Sequence, residues 1–406
     1  MESIEPLGKL ERLGGAAQYD MCGSCVNPKG DTLAHRQRGE MGKWVYPAAM
    51  PDGKHILLMK VLMSNTCENN CLYCVNRSGK DRPVLSFEPE ELSSLFMNMF
   101  NGNLVQGLFL SSAIYKGVNR TMDRMLRTIE ILRCRHRFRG FIHLKILPGA
   151  DLGHIERAVK LADRVSVNLE APSGARLKRI APEKDYTEEL LSRIQYLSGL
   201  INKANYGRRW GPKGQTTQFV VGAAEEPDTE ILAVTKNLYD RLDLSRIYFS
   251  AFQPAQDTPL DALRPTPFLR EHRIYQVDFL FRRYGFAMEE IGFNGKGLLP
   301  LGKDPKMIWA ENHPERFPVE VNTAPRRVLL RVPGFGLKTV KRVLEVRREH
   351  KINCISQLQM MGAVMKNAQG FILLNGVYPG KPLSSQMEIW EPEKVHFGES
   401  TIASPV

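Results

Sequence analysis

Ser64-Asn-Thr-Cys67-Glu-Asn-Asn-Cys71-Leu-Tyr73-Cys74-Val-Asn-Arg77 decides how the rest of the chain is read. It is a C-x3-C-x2-C run with an aromatic residue just before the last cysteine. Three thiolates can hold three irons of a [4Fe-4S] cluster, which leaves the fourth iron open to a small molecule. A structural zinc site would need a fourth protein ligand, and no cysteine or histidine follows nearby. Seven cysteines without a recognisable export signal argue against disulfides and for a reducing, cytoplasmic setting.

The run directly follows an apolar stretch, Ile56 to Met63, which reads as a strand. Downstream, strand and amphipathic helix alternate. Helices are predicted over 88–100, 121–137, 152–162, 187–204, 228–242 and 267–284, and further strands over 104–110, 141–147, 164–169, 217–221 and 246–252. Repeated β-α units force parallel strands with right-handed crossovers. Six such units give a partial (β/α)6 barrel, whose working face lies at the C-terminal ends of its strands. The cysteine loop follows the first strand and falls on that face.

The 406 residues predict an N-terminal extension (1–50), a core barrel (51–300), a connector (301–325), a small all-α domain (326–378) and a tail (379–406). No run of about eighteen apolar residues predicts a membrane span. The net charge of +12 points to a polyanionic partner. Basic residues are dense at Lys116, Arg120, Arg124, Arg127, Arg133, Arg135, Arg137 and Arg139. Some of these could face nucleic acid, and most form a solvated helix face. Cys22 and Cys25 form a C-x2-C pair; they and the separate Cys134 and Cys354 read as ordinary thiols, with hydrogen donation or an auxiliary metal as the other reading.

Val332-Pro333-Gly334-Phe335-Gly336-Leu337-Lys338-Thr339-Val340-Lys341-Arg342 resembles a helix-hairpin-helix element. Glycines let the backbone approach a phosphate, N–H groups at a helix start face the anion, and Lys338 and Lys341 add charge. Pro333, Gly334, Gly336, Lys338, Thr339 and Lys341 are the candidate nucleic-acid contacts. Ile355–Gly362 and Lys366–Ile372 look like a second, degenerate hairpin pair.

The order of these features is similar to the DNA modification/repair radical S-adenosylmethionine (radical SAM) proteins, which carry a C-terminal helix-hairpin-helix region. The resemblance rests on Cys67 to Pro83, Gly107–Ser112, Phe141–Gly149, Asp163–Pro172, the hairpin, and Lys9 to Asp20. It covers about residues 9 to 378. It implies a [4Fe-4S] cluster on Cys67, Cys71 and Cys74, and S-adenosylmethionine (SAM) cleaved to a 5′-deoxyadenosyl radical; the substrate does not come with the resemblance, and read with the hairpin the expected target is a base or sugar of DNA, for repair or for modification. It also implies an electron donor such as flavodoxin or ferredoxin, and a uracil-DNA-glycosylase-like repair partner.

Carried over residue by residue, the resemblance places the backbone around Tyr73 against the adenine. Ser111 and Ser112 take the place of the motif that binds the SAM amino group. Asn168 and Glu170 fall where ribose and amino contacts are made, and Lys145 and Arg179 suit the carboxylate. Gly222 and Glu225, with Val220, resemble the strand-five motif, with Gln218 in place of its first glycine. Phe249 to Phe252 could meet the adenine, and His143 reads as a packed histidine. Three other readings stay open: a non-catalytic nucleic-acid-binding or redox-sensing cluster protein, the same enzyme acting on RNA, and a radical enzyme acting on a protein or small molecule.

Overall fold

The computed structural model describes residues 5–17, 44–49, 55–79, 83–205 and 214–379. Among them the chain divides into two units. The first runs to Asp278 and takes in Phe293–Leu301; the second holds Phe279–Gly292 and the residues from Gly302 on.

In the first unit the elements are α1 (Pro6–Ala16), β1 (Val45–Ala49), β2 (His55–Leu62), α2 (Pro89–Asn101), β3 (Gly107–Ser111), α3 (Val118–Glu130), β4 (Phe141–Lys145), α4 (Leu152–Leu161), β5 (Arg164–Ser166), α5 (Gly174–Ile180), α6 (Ser192–Asn205), β6 (Gln215–Val221), α7 (Asp228–Leu242) and β7 (Arg246–Ala251), and α8 (Phe268–Phe279) begins there. Seven strands form one sheet in chain order. β2 to β7 are parallel neighbours, the predicted succession of six β-α units. β1 was not predicted; it pairs antiparallel on the edge of β2, where Pro47 is tolerated because an edge strand need not donate every N–H.

Helix faces follow the 3.6-residue period. α3 buries Met122, Met125, Leu126 and Ile129. α2 starts with Pro89 and a capping box in which Glu88 N donates to Glu91 Oε2 at 3.1 Å. The helix predicted to Arg137 leaves α-geometry after Glu130 and ends in a π-helical turn, Ile131–Arg135. There Arg133 donates to the carbonyls of Phe138, Gly140 and Leu161 and pairs with Asp163 at 2.8 Å. Arg124 donates to Phe87 O and Glu88. These two arginines of the basic stretch hold the unit together.

The strand predicted to Leu169 is shorter, because the Thr217 hydroxyl, not a backbone carbonyl, accepts from Leu169 N at 3.0 Å. α1 and α5 were not predicted. Pro6 at the start of α1 and Ser173, whose hydroxyl accepts from Arg176 N at 3.3 Å ahead of α5, are the signals for them.

The second unit holds a π-helical turn (Leu280–Tyr284), α9 (Pro305–Asn312), β8 (Val319–Glu320), α10 (Arg326–Leu329), α11 (Leu337–Val346), α12 (Ile355–Met360), α13 (Met365–Ala368) and β9 (Ile372–Leu373). The predicted connector is therefore structured, and β8 pairs in parallel with β9. Phe286, Trp309, Phe317 and Phe371 make edge contacts through the core. Arg331 lies 3.7 Å over the Phe286 ring, pairs with Glu290 at 2.9 Å and donates to Tyr284 O and Gly285 O.

Gly334 has φ +77, and a Cβ there would sit 2.4 Å from Val364 O. Val364 N donates to Gly334 O at 3.0 Å, so the two hairpin turns are stitched together. Lys306 is buried, lies 4.8 Å from the centre of the Tyr284 ring, and donates to Phe335 O at 2.6 Å. Among the described residues no helix is long and apolar enough to cross a membrane. Cys22, Cys25 and all of the predicted tail beyond Pro379 lie outside the described residues.

Candidate active site

A cavity of about 590 Å³ opens at the C-terminal end of the parallel sheet. Leu62, Ser111, Lys145, Val220 and Ala251, at or next to the ends of β2, β3, β4, β6 and β7, line it with Asn168 just past β5. Strand ends from six positions meet around one space, so the sheet curls into a half-barrel. Cys67, Cys71 and Cys74 line the same cavity, together with Tyr73, Ser112 and Glu170. The cysteine loop, Ser111 and Ser112 after β3, and Asn168 and Glu170 after β5 are among the residues that the sequence reading expected on this face.

The cysteine loop is fixed from two sides by three hydrogen bonds. Glu68 N donates to Ile114 O at 2.9 Å, Leu72 N to Ile180 O at 2.8 Å, and Asn70 N to Glu183 Oε2 at 2.6 Å. Within the loop, Cys74 N donates to Cys71 O at 3.0 Å and Arg77 Nε to Asn70 Oδ1 at 2.8 Å. Two sulfurs already accept backbone N–H groups: Cys74 Sγ from Asn76 at 3.4 Å and Cys67 Sγ from Ile114 at 3.5 Å. Such bonds stabilise thiolate and tune an iron–sulfur centre.

Burial pushes the Cys74 thiol up to about 12, with the neighbouring Cys71 adding to it. Burial also raises Cys71, while Lys184 opposes the rise. Thiols held neutral by burial ionise when a metal centre takes the proton's place. Among the described residues no three His, Cys, Asp or Glu side chains converge to hold a single ion. Three sulfurs lining one cavity, two of them with backbone N–H donors, fit the irons of a cluster.

Glu170 and Lys184 face the cysteines. Their charged atoms are 3.4 Å apart, with side chains each 8% exposed. Glu170 adopts a left-handed backbone, φ +64, and bridges to β6: its N–H donates to Gln218 O at 2.9 Å and its carbonyl accepts from Val220 N at 2.8 Å. Burial and the adjacent Glu170 raise the Tyr73 phenol well above its usual value. Sequence reasoning missed Lys184. It stands in the Ile180–Asp185 segment, which also supplies the bonds to Leu72 and Asn70. A lysine next to an acid in a loop carries no periodic signal. Gln253 and Asn76 were missed on the wall for the same reason.

Arg179, Gly222 and Glu225 do not line the cavity. Arg179 pairs with Glu225, and both are at least half exposed. Gly222 serves a tight turn, where a Cβ would come within 2.0 Å of Thr266 Oγ1. The buried acid of that turn is Glu226, which accepts from Gly222 N and Ala224 N. Phe252 lines the cavity, whereas Phe249 is packed between Phe219 and Tyr275. His143 is buried 3.0 Å from Ser166 Oγ and edge-on to Phe109, and burial lowers its basicity strongly.

In the second unit, Lys338 and Lys341 are exposed on the first turns of α11, whereas Pro333 and Thr339 are buried. Gly334 is committed to the contact with Val364. A Cβ on Gly336 would meet nothing closer than 3.9 Å.

The site is a three-thiol cavity at the mouth of a parallel half-barrel. Residues 61–226 match the Radical SAM superfamily, so a domain of that superfamily is present here. Its cofactors are a [4Fe-4S] cluster and S-adenosylmethionine. No curated protein matches the chain.

Among solved structures, the [FeFe]-hydrogenase maturase HydG is similar at 14% identity and a TM-score of 0.44, over 54% of this chain and 48% of that one. Methylornithine synthase (PylB) is similar at 11% and 0.45, over 56% and 63%. HydG from Carboxydothermus hydrogenoformans is similar at 13% and 0.45, over 75% of each. The chain thus spans 48% and 63% of the first two.

Proposed function

We propose that the protein is a radical SAM enzyme acting on nucleic acid, with DNA as the substrate. The observation that carries the enzymatic part is the convergence of Cys67, Cys71 and Cys74 with polar residues from the strand ends on one cavity. When bound, the cluster and SAM supply a 5′-deoxyadenosyl radical. The chain's own residues hold and orient. The three thiols would ligate three irons. Tyr73, Ser111, Ser112, Lys145, Asn168 and Glu170 form the wall that would hold SAM. Leu62, Val75, Ile114, Ile146 and Phe252 give that wall its apolar area, which keeps water from a reactive centre. Arg179, Gly222 and Glu225 stand outside this assignment.

The DNA part of the proposal is supported by the hairpin sequence, read as a helix-hairpin-helix. It rests on Gly336, Lys338 and Lys341 at the start of α11 and on the net charge of +12. A base inside a duplex is shielded, so the substrate is a flipped base, a lesion or a single strand. A flavodoxin- or ferredoxin-like electron donor and a uracil-DNA-glycosylase-like partner belong to the same proposal.

The test is anaerobic: reconstitute the cluster, add SAM and dithionite with and without DNA, and quantify 5′-deoxyadenosine. Formation that rises with DNA is expected. Cys71→Ala should abolish it and lower the bound iron. Iron-loaded protein that forms none would overturn the enzymatic reading, and formation indifferent to DNA would overturn the substrate class.

A further inference from the structure

The hairpin residues are a minority of the exposed cations around α11. An open recess of about 550 Å³ in the second unit is lined by Arg282, Arg283, Arg326, Lys338, Lys341 and Arg348. These come from the Leu280–Tyr284 turn, α10, α11 and the residues just after α11. Among the described residues Glu345 is the one acid on the wall. Its pair with Lys341 is 3.8 Å long and largely exposed, which makes it weak.

The arginines of this unit divide into two kinds. Arg331 and Arg347 are spent on backbone carbonyls of the fold: Arg331 on Tyr284 and Gly285, Arg347 on Val321 and Ala324. Arg283, Arg326 and Arg348 are exposed and, among the described residues, make no ion pair. Packing gives no reason to gather them.

We propose that this recess seats the phosphodiester backbone of one nucleic-acid strand, with Arg283 and Arg348 extending the contact beyond the hairpin motif. The inference rests on the nucleic-acid reading above and names where and how the strand is held. Six cations, five on three elements and Arg348 just after α11, match a row of phosphates better than a single one. Guanidinium groups suit phosphate because they can bind two oxygens at once. Among the described residues the wall carries no aromatic side chain, and its apolar residues are Leu337 and Leu344. Bases therefore find no stacking platform there, and the contact reads backbone without sequence.

The experiment is fluorescence anisotropy with labelled DNA and RNA strands of two unrelated sequences, across a salt series, with labelled polyglutamate as the acidic-protein arm. The wild-type chain should bind both sequences alike and polyglutamate more weakly. In the Arg283→Ala/Arg348→Ala protein the slope of log affinity against log salt should fall by about 1.4 to 1.8, since each phosphate contact contributes about 0.7 to 0.9. Arg283→Glu should weaken binding further, and an unchanged melting temperature would show that both variants fold. Wild-type slope and affinity in both variants, with binding lost in Lys338→Ala/Lys341→Ala, would overturn the inference while sparing the nucleic-acid reading. Preference for polyglutamate over every strand would overturn both, and 5′-deoxyadenosine formation without nucleic acid would still report on the enzyme separately.

Discussion

Lys184 and Glu170 face each other at 3.4 Å with side chains 8% exposed, whereas Lys341 and Glu345 are 3.8 Å apart with side chains 76% and 55% exposed. Both are a lysine beside a glutamate, yet they do different work. The first pair lies in a cavity wall next to Cys71, where neither charge can be left alone without a large desolvation penalty. The second lies on the rim of a recess, where water and salt screen it. The three-thiol cavity is held by buried pairing, whereas the basic recess gathers charge at an open surface.

The largest test of that contrast is Lys184→Met. It strands the Glu170 carboxylate in the wall and should cost about 3–5 kcal/mol in chemical denaturation. Adding Glu170→Gln should recover most of the loss. A single variant as stable as the wild type would mean that water reaches the pair and the contrast fails.

The next test compares two glycines two positions apart. Gly334→Ala meets Val364 O at 2.4 Å with φ +77 and should destabilise the second unit by about 1–3 kcal/mol. Gly336→Ala has room and should change stability by less than about 1 kcal/mol. Equal melting temperatures would show that the two turns are not stitched as described.

Lys306 sharpens the comparison from within the second unit, because it is the buried lysine there. Burial pushes its amine down to about 7, Asp304 opposing and Arg331 reinforcing. Between that value and the ordinary lysine value of 10.5 the unfolded chain holds a proton that the folded chain lacks. Stability should therefore rise with pH through this window, and the penalty is complete below it. Lys306→Met should flatten the slope in urea titrations at several pH values; an unchanged slope would assign it to another group. Smallest is Glu345→Gln, expected to shift stability by no more than about 0.5 kcal/mol while modestly strengthening strand binding by removing an acid from the recess wall.

How much of this was legible in the sequence follows from which forces act locally. The C-x3-C-x2-C spacing and the strand ends carrying Ser111, Lys145 and Asn168 were readable, because alternation of strand and helix fixes which end of each strand faces the site. Lys184 was not, since its role comes from a fold that brings the segment after α5 against Cys71. Arg133 looked like surface charge, and only the tertiary arrangement shows it bonded to three carbonyls. The Pro-Gly-x-Gly turn was readable as a turn, but its sequence does not say that Thr339 is buried or that Gly334 is taken up by Val364. Propensity names an element; it does not name the neighbour across the core.

Glu170 carries a last consequence. Its left-handed backbone would suit glycine and costs a residue with a Cβ about 1 kcal/mol. Glu170→Gly would thus ease the main chain while erasing the acid, so the backbone and side-chain contributions of this one position have opposite signs. A turn that only needed to bend has no use for a carboxylate in so awkward a conformation. What sits at residue 170 is an acid kept against the preference of its own peptide bonds.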